Sequence, residues 1–235
     1  MARLSRLTLI FSLLFLVFIV GLPFLSSPLG MYPLMKIQDA VDLATPLVLI
    51  PVYWLLFQIA PGKPIKSWET LAFLVLAALW VEGQGIHLAG NSIGHLTEAF
   101  AGSDAAALTF FYDEVLSHYM WHAGIIGLSL LIIYRQWTNP FAGQRSRLGV
   151  EVGAGILHGL SFGLMVLEGV TTPIGLPAAA LVTACGLWGR GRLRQQPALA
   201  FFFVAYLTAL ILFVVWRVYW GCFIEPFDML QGRGC

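Results

Sequence analysis

Long apolar stretches separated by short polar segments dominate the chain. A hydrocarbon core of about 30 Å is crossed by about 20 helical residues rising 1.5 Å each, so a stretch of that length predicts a transmembrane helix. Seven such stretches occur, at residues 7–25, 44–60, 68–88, 112–134, 150–167, 173–188 and 198–220. We interpret the first as a retained signal anchor, because its apolar run exceeds that of a cleaved signal peptide and no A-x-A site follows. With no repeat or dividing linker, residues 1–235 are predicted to form one all-α polytopic transmembrane domain.

Lysine and arginine residues concentrate in alternate connections between these stretches. Because basic residues near span ends resist translocation, they mark the cytoplasmic side of a membrane. Ten of the 13 fall on one face of the seven-span arrangement, namely Arg3, Arg6, Lys63, Lys66, Arg135, Arg145, Arg147, Arg190, Arg192 and Arg194. The pattern predicts a cytoplasmic N-terminus and an external C-terminus in a plasma or inner membrane. Cys222 and Cys235 then share the external tail, where a disulfide is permitted.

The composition excludes several classes of protein. Hydrophobic residues make up 59% of the chain and charged residues only 11%, and the mean hydropathy is +0.83. Soluble domains carry about 25% charged residues, and disordered chains are less apolar still. A composition this apolar and this poor in charged residues also excludes a nucleic-acid binder. Membrane lipids are therefore the predicted surroundings, and nucleic acid is not a predicted partner.

All five histidines lie within three consecutive predicted spans and their ends, between residues 68 and 168. At 100° per residue, one face of the third helix about 80° wide collects Gln84, His87, Asn91, His95 and Glu98. Ionisable side chains inside a membrane are costly and usually functional. Four glycines on the same helix, Gly83, Gly85, Gly90 and Gly94, would allow another helix or a substrate to approach its backbone.

The fourth stretch carries the most informative motif, E-x-x-x-H-x-x-x-H, formed by Glu114, His118 and His122. Two imidazoles one helical turn apart can hold a transition metal, and a carboxylate one turn earlier can act as ligand, orienting group or base. Counted along the helices, most of the cluster lies in the outer third of the bilayer, and Asp42 is a possible contributor. We therefore predict an external metal site with His87, His118, His122, His158 and His95 as candidate ligands and with Glu114 and Asp113 as candidate catalytic carboxylates.

These residue types resemble the pattern of the CREST superfamily of seven-span membrane hydrolases, which includes alkaline ceramidases and progestin and adipoQ receptors. That family has a Ser and a His on one early span, an Asp on the next and an H-x-x-x-H late in the chain. Here Ser92 and His95 are followed by Asp113 and by the pair His118 and His122, although this pair stands on the fourth span and the seventh has no histidine. The resemblance implies zinc-dependent hydrolysis of a lipid-like amide or ester.

Three functions follow from the same residues. The first is a membrane zinc hydrolase that acts on a lipid-like substrate near the outer leaflet, with the metal-bound water as nucleophile. The second is an iron- or copper-dependent membrane oxidoreductase, because imidazole binds all three metals. The third is a non-catalytic subunit of a larger membrane complex that handles haem, pigment or protons. We favour zinc among the divalent transition metals as cofactor.

Overall fold

The computed structural model describes residues 2–30, 35–59, 64–97, 100–141 and 148–232. Every regular helix or strand element in these ranges is helical. The helices are α1 Ala2–Phe15, α2 Ile37–Gln58, α3 Ser67–Thr97, α4 Asp104–Phe110, α5 His118–Thr138, α6 Leu148–Glu168, α7 Thr172–Trp188, α8 Pro197–Trp220 and α9 Pro226–Leu230. Five residues used in the sequence predictions lie outside the described residues, namely Lys63, Glu98, Arg145, Arg147 and Cys235, and so does the side chain of His95.

Six helical stretches among the described residues are long and apolar enough to cross a membrane. They are Arg3–Val20, Ile37–Gln58, Ser67–Gly94, Asp104–Thr138, Leu148–Glu168 and Pro197–Trp220. These lengths and compositions identify an all-α, multi-pass integral membrane protein. The predicted sixth span, 173–188, falls on α7, an apolar helix of 17 residues that is shorter than the others.

Glycines set the closest helix contacts. A Cβ added to Gly83 of α3 would lie 2.6 Å from the backbone nitrogen of Trp121 on α5, and one added to Gly124 of α5 would lie 2.7 Å from the carbonyl oxygen of Leu76. The crossing of α6 and α8 is built in the same way, with Gly155, Gly159 and Gly163 at four-residue intervals against α8. Such small residues let two helices approach until their backbones touch. The sequence prediction that glycines of the third span admit another helix is confirmed for Gly83.

Buried polar contacts mark one end of the bundle. Arg135 lies near the end of α5, and its Nη1 is 2.8 Å from Oε2 of Glu69 in the first turn of α3. Both side chains are 3% exposed. Helix α7 starts at the opposite end, because Thr171, which precedes it, contacts His122 of α5. It finishes beside Arg135's end of α5, where Trp188 contacts Trp137. Helix α7 therefore runs the length of the bundle.

A π-helical segment, Phe111–Ser117, joins α4 to α5 without a break. The wider turn of this segment changes which residues share a face, and such segments are frequent at functional sites. The Ser117 hydroxyl donates a hydrogen bond to the Asp113 carbonyl oxygen within it. The pattern of this stretch predicts a regular helix, but the π turns change the angle between successive residues before His118.

Candidate functional site

A cavity of about 610 Å³ opens at the end of the bundle away from Arg135. Its walls come from the start of α2, the later part of α3, the start of α5, the end of α6 and the tail after α8. Polar lining residues are Lys36, Gln38, Asp39, Asp42, His87, Asn91, Glu114, His118, Glu168 and Glu225, and apolar ones include Ile19, Leu22, Trp121, Met165 and Phe227. Five carboxylates thus face a cavity that also has an apolar wall.

Three histidines form a row of contacting rings beside this cavity. The ring centroids of His87 and His118 are 4.8 Å apart, and those of His118 and His122 are 5.7 Å apart. Trp121 stacks on His122 with a centroid distance of 4.8 Å. The row becomes more buried along its length, since the side chain of His87 is 22% exposed whereas His122 is fully buried.

His87 is held by a carboxylate from the neighbouring helix. Its Nδ1 lies 2.8 Å from Asp113 Oδ1. The contact is possible because Gly90, less than one turn after His87, has no side chain, and a Cβ there would lie 2.8 Å from the Cβ of Asp113. Asp113 therefore faces α3, with its carboxylate beside the His87 ring.

His118 is held by its own helix. Its Nδ1 lies 2.9 Å from the carbonyl oxygen of Glu114, four residues earlier. The Glu114 side chain is 38% exposed, with Oε2 3.7 Å from His118 Nδ1, and it lines the cavity. Glu114 also lines an adjoining cavity of about 230 Å³. Its carboxylate is accessible to a molecule in either space.

His122 is held from the turn between α6 and α7. Its Nδ1 lies 2.5 Å from the hydroxyl oxygen of Thr171, and this hydroxyl donates its own proton to the carbonyl oxygen of Val166 at 3.4 Å. The other ring nitrogen, Nε2, is buried and has no hydrogen-bond partner among the described residues. Gly169 lies over the same ring, because a Cβ added to it would be 2.6 Å from His122 Cε1.

The oxygen atoms near the three Nδ1 atoms differ in what they fix. The Glu114 carbonyl oxygen only accepts hydrogen bonds, so a neutral His118 carries its proton on Nδ1 and a lone pair on Nε2. The Thr171 hydroxyl can accept from His122 Nδ1 while it donates to the Val166 carbonyl oxygen at 3.4 Å, and it can also donate to Nδ1. Asp113 Oδ1 lies 2.8 Å from His87 Nδ1, but the two atoms do not have hydrogen-bond geometry.

The other predicted ligands are not joined to this row. His158 is 1% exposed, and its ring neighbours are Phe11, Phe15, Phe201 and Phe202, deep between α1, α6 and α8. His95 continues α3, but its side chain lies outside the described residues. Within the described part of the chain, no three His, Cys, Asp or Glu side chains stand in an arrangement that would hold a metal ion directly.

Two sets of contacts at the cavity and the histidine row were not predicted from the sequence. Gln84 donates to Asp42 Oδ1 at 2.5 Å and accepts from the indole nitrogen of Trp80 at 2.6 Å, which fixes Asp42 at the cavity wall. The sequence indicated Gln84 on the polar face of the third helix and Asp42 as a possible contributor to the site, but not that the two are in contact. Thr171 and Gly169 gave no signal, because their roles depend on contacts with α5 about 50 residues earlier.

No family model, curated protein or solved structure matches this chain. The resemblance to the CREST superfamily therefore stays a prediction.

Cys222 is disulfide-bonded and Cys185 is a free thiol. The predicted partner of Cys222 is Cys235, which lies outside the described residues.

Proposed function

We propose that this protein is a membrane-embedded metal-dependent enzyme that acts on a lipid-like substrate near the outer leaflet, with zinc hydrolysis as the favoured chemistry. His87, His118 and His122 would hold one divalent transition metal through their Nε2 atoms after side-chain rotations that bring these atoms together, because no three such side chains in the described part of the chain already stand in a metal-binding arrangement. A three-histidine zinc site keeps a fourth position open for water or substrate.

The observation that carries the proposal is that an oxygen atom lies close to Nδ1 of each of the three imidazoles. Histidines that bind metals almost always donate their other ring N–H to a carboxylate, a carbonyl or a similar acceptor. Here the distances from Nδ1 to oxygen are 2.8 Å for His87, 2.9 Å for His118 and 2.5 Å for His122, and the last two contacts have hydrogen-bond geometry. The ring spacings of 4.8 and 5.7 Å are close to the separation of about 5 Å that imidazoles sharing one tetrahedral ion have.

The two carboxylates of the motif have different surroundings and would have different roles. Asp113 lies beside His87 and would orient its ring, and it also lines the smaller cavity. Glu114 lines both cavities and is partly exposed, so its carboxylate is placed to accept a proton from a water molecule near His118. A bound zinc ion would lower the pKa of a coordinated water toward neutrality and polarise a carbonyl oxygen.

The mixed lining of the large cavity supports an amphipathic substrate. Carboxylates from α2, the π-helical segment and α6 line a space of about 610 Å³ together with Ile19, Leu22 and Phe227. Such a space can receive a polar headgroup together with the first part of an acyl chain. A molecule resident in the bilayer would enter from the side, while water would enter from the end of the bundle.

We also propose the seven-span topology with a cytoplasmic N-terminus and an external C-terminus. Helix α7, at 17 residues, is within the range of lengths that cross a bilayer and runs from Thr171 to the neighbourhood of Trp137. Arg135 and the basic turn Arg190–Arg192 share one end of the bundle, as the contact of Arg192 with Trp137 requires. The positive-inside rule makes that end cytoplasmic and the cavity external.

Metal analysis of purified protein, with a matched set of alanine variants, tests the proposed site. Wild-type protein should contain about one equivalent of metal per chain, and His118→Ala and His122→Ala should lose it. His158→Ala is the control, because His158 is equally buried but is enclosed by phenylalanines, and it should retain the metal. Stoichiometric iron or copper would favour the oxidoreductase. A wild-type protein that takes up no zinc, iron or copper would leave only the non-catalytic subunit.

A further inference from the structure

In the turn between α6 and α7, the residue with left-handed backbone is a valine, and the glycine precedes it. Val170 donates to the Leu167 carbonyl oxygen at 3.3 Å and Thr171 donates to the Val166 carbonyl oxygen at 3.0 Å. These two hydrogen bonds form the Schellman arrangement that ends many helices, in which the residue with left-handed backbone is usually glycine. Here that residue is Val170, with φ +51°. A β-branched residue in this conformation is an outlier.

The glycine of the turn stands one position earlier, where it meets the histidine row. A Cβ on Gly169 would lie 2.6 Å from His122 Cε1 and 3.2 Å from His118 Cγ. Only a residue without a side chain allows the backbone to cover both rings this closely. Glycine is therefore required at position 169 because of the two imidazole rings. Its backbone conformation does not require glycine, because the left-handed residue of this turn is Val170 and not Gly169.

The next residue supplies the hydrogen bond that fixes His122. His118 has the carbonyl oxygen of its own helix as a partner for Nδ1, whereas His122 uses a side chain from a different element. The Thr171 hydroxyl can accept from His122 because its proton goes to the Val166 carbonyl oxygen, within the same helix end. The helix end and the imidazole are thus joined through one hydroxyl.

We propose that the turn formed by Gly169, Val170 and Thr171 is a positioning device for His122, and that Thr171 is a positioning residue that keeps the His122 proton on Nδ1. The turn places two groups at once: a bare backbone over the ring face and a hydroxyl acceptor at Nδ1. The consequence is a buried Nε2 lone pair with a fixed direction. The link to metal affinity rests on the proposed function, whereas the tautomer itself does not.

The tautomer can be measured directly by ¹⁵N NMR of the full chain labelled at histidine in nanodiscs, with His122 assigned by comparison with His122→Ala. The wild type should show the Nδ1–H tautomer of His122, and Thr171→Ser, which keeps the hydroxyl, should show the same. Thr171→Val keeps the shape but removes the acceptor, so the Nδ1–H signature should be lost. Thr183→Val is the matched control, because Thr183 is a buried threonine of α7 whose hydroxyl has no hydrogen-bond partner in the described part of the chain.

The second measurement is the zinc affinity of the wild type, Thr171→Ser, Thr171→Val and Thr183→Val, determined by competition with a chromophoric chelator. Loss of a group that orients a metal-binding histidine typically weakens metal binding 10- to 100-fold. We expect this loss for Thr171→Val, with wild-type affinity for Thr171→Ser and Thr183→Val. Val170→Gly should retain both the tautomer and the affinity, because glycine adopts the left-handed conformation more readily.

The two readouts separate the possible failures. In one outcome the wild type binds no zinc but shows the Nδ1–H tautomer of His122, and Thr171→Val does not show this tautomer. The proposed metal function would then be wrong, and the positioning role of Thr171 would stand. An unchanged His122 tautomer in Thr171→Val would overturn the positioning role. So would a loss of the tautomer in Thr171→Ser as large as that in Thr171→Val.

Discussion

Replacing Gly169 by alanine should weaken metal binding by a predictable amount. The new Cβ would lie 2.6 Å from His122 Cε1, whereas nonbonded carbon atoms come no closer than about 3.4 Å, so the ring must move by about 0.8 Å. His122 cannot move freely, because it stacks on Trp121 and is tied to Thr171 at 2.5 Å. Metal–ligand distances tolerate only about 0.2 Å of change.

The clash between the new Cβ and the His122 ring destabilises the metal-bound state more than the metal-free state. Without metal the ring can turn aside, but a coordinated ring cannot. Overpacking of a well-packed site costs about 1 to 3 kcal/mol. At about 1.4 kcal/mol for each factor of ten, zinc affinity should fall between about fivefold and a hundredfold.

The assay is zinc competition against a chromophoric chelator, with thermal unfolding of the same samples recorded in parallel. Gly85→Ala is the control, because a Cβ on this α3 glycine meets no atom within 4 Å. It should bind zinc as the wild type does and unfold at the same or a higher temperature. Equal zinc affinity for Gly169→Ala and the wild type would refute the reasoning, since it would mean that His122 is not constrained at the site.

Three further outcomes are expected. Asp113→Asn should weaken zinc binding about 10- to 100-fold while the protein stays folded, because it weakens the acceptor that orients His87; unchanged affinity would remove Asp113 from the site. Glu69→Leu should lower the free energy of unfolding by about 3 kcal/mol or more, because the Arg135 guanidinium would stay buried without the Glu69 carboxylate. The double variant with Glu69→Leu and Arg135→Met should recover much of that loss in thermal unfolding, and no recovery would argue against the ion pair. In cysteine-accessibility labelling of cells, a cysteine at 104 should react from outside and one at 191 only after permeabilisation; labelling of both from one side would contradict the topology.

Much of the helical architecture follows from the sequence because hydropathy reports directly on lipid contact. The predicted spans fall on helices, and buried glycines mark where pairs of helices cross, as Gly83 and Gly124 illustrate. The ends of helices were less predictable. Helix α3 continues to Thr97, nine residues beyond the predicted span, because a helix can leave the hydrocarbon without ending.

The site was only partly predictable, for two physical reasons. The spacing of Glu114, His118 and His122 identified one face of a helix, but the π turns of Phe111–Ser117 bring Asp113, not Glu114, against His87. Hydrogen-bond partners from distant elements have no periodic signal, so the role of Thr171 could not be read from spacing. The sequence also placed His158 among the candidate ligands, although its ring lies among phenylalanines, away from the other histidines.

The most direct test of the central claim is the X-ray absorption spectrum, at the metal edge, of purified wild-type protein loaded with one equivalent of zinc. We expect nitrogen and oxygen ligands at about 2.0 to 2.1 Å with the outer-shell scattering of three imidazoles, which correspond to His87, His118 and His122. His122→Ala should show fewer imidazoles or no bound zinc. A zinc site with sulfur ligands, or with fewer than two imidazoles in the wild type, would contradict the account.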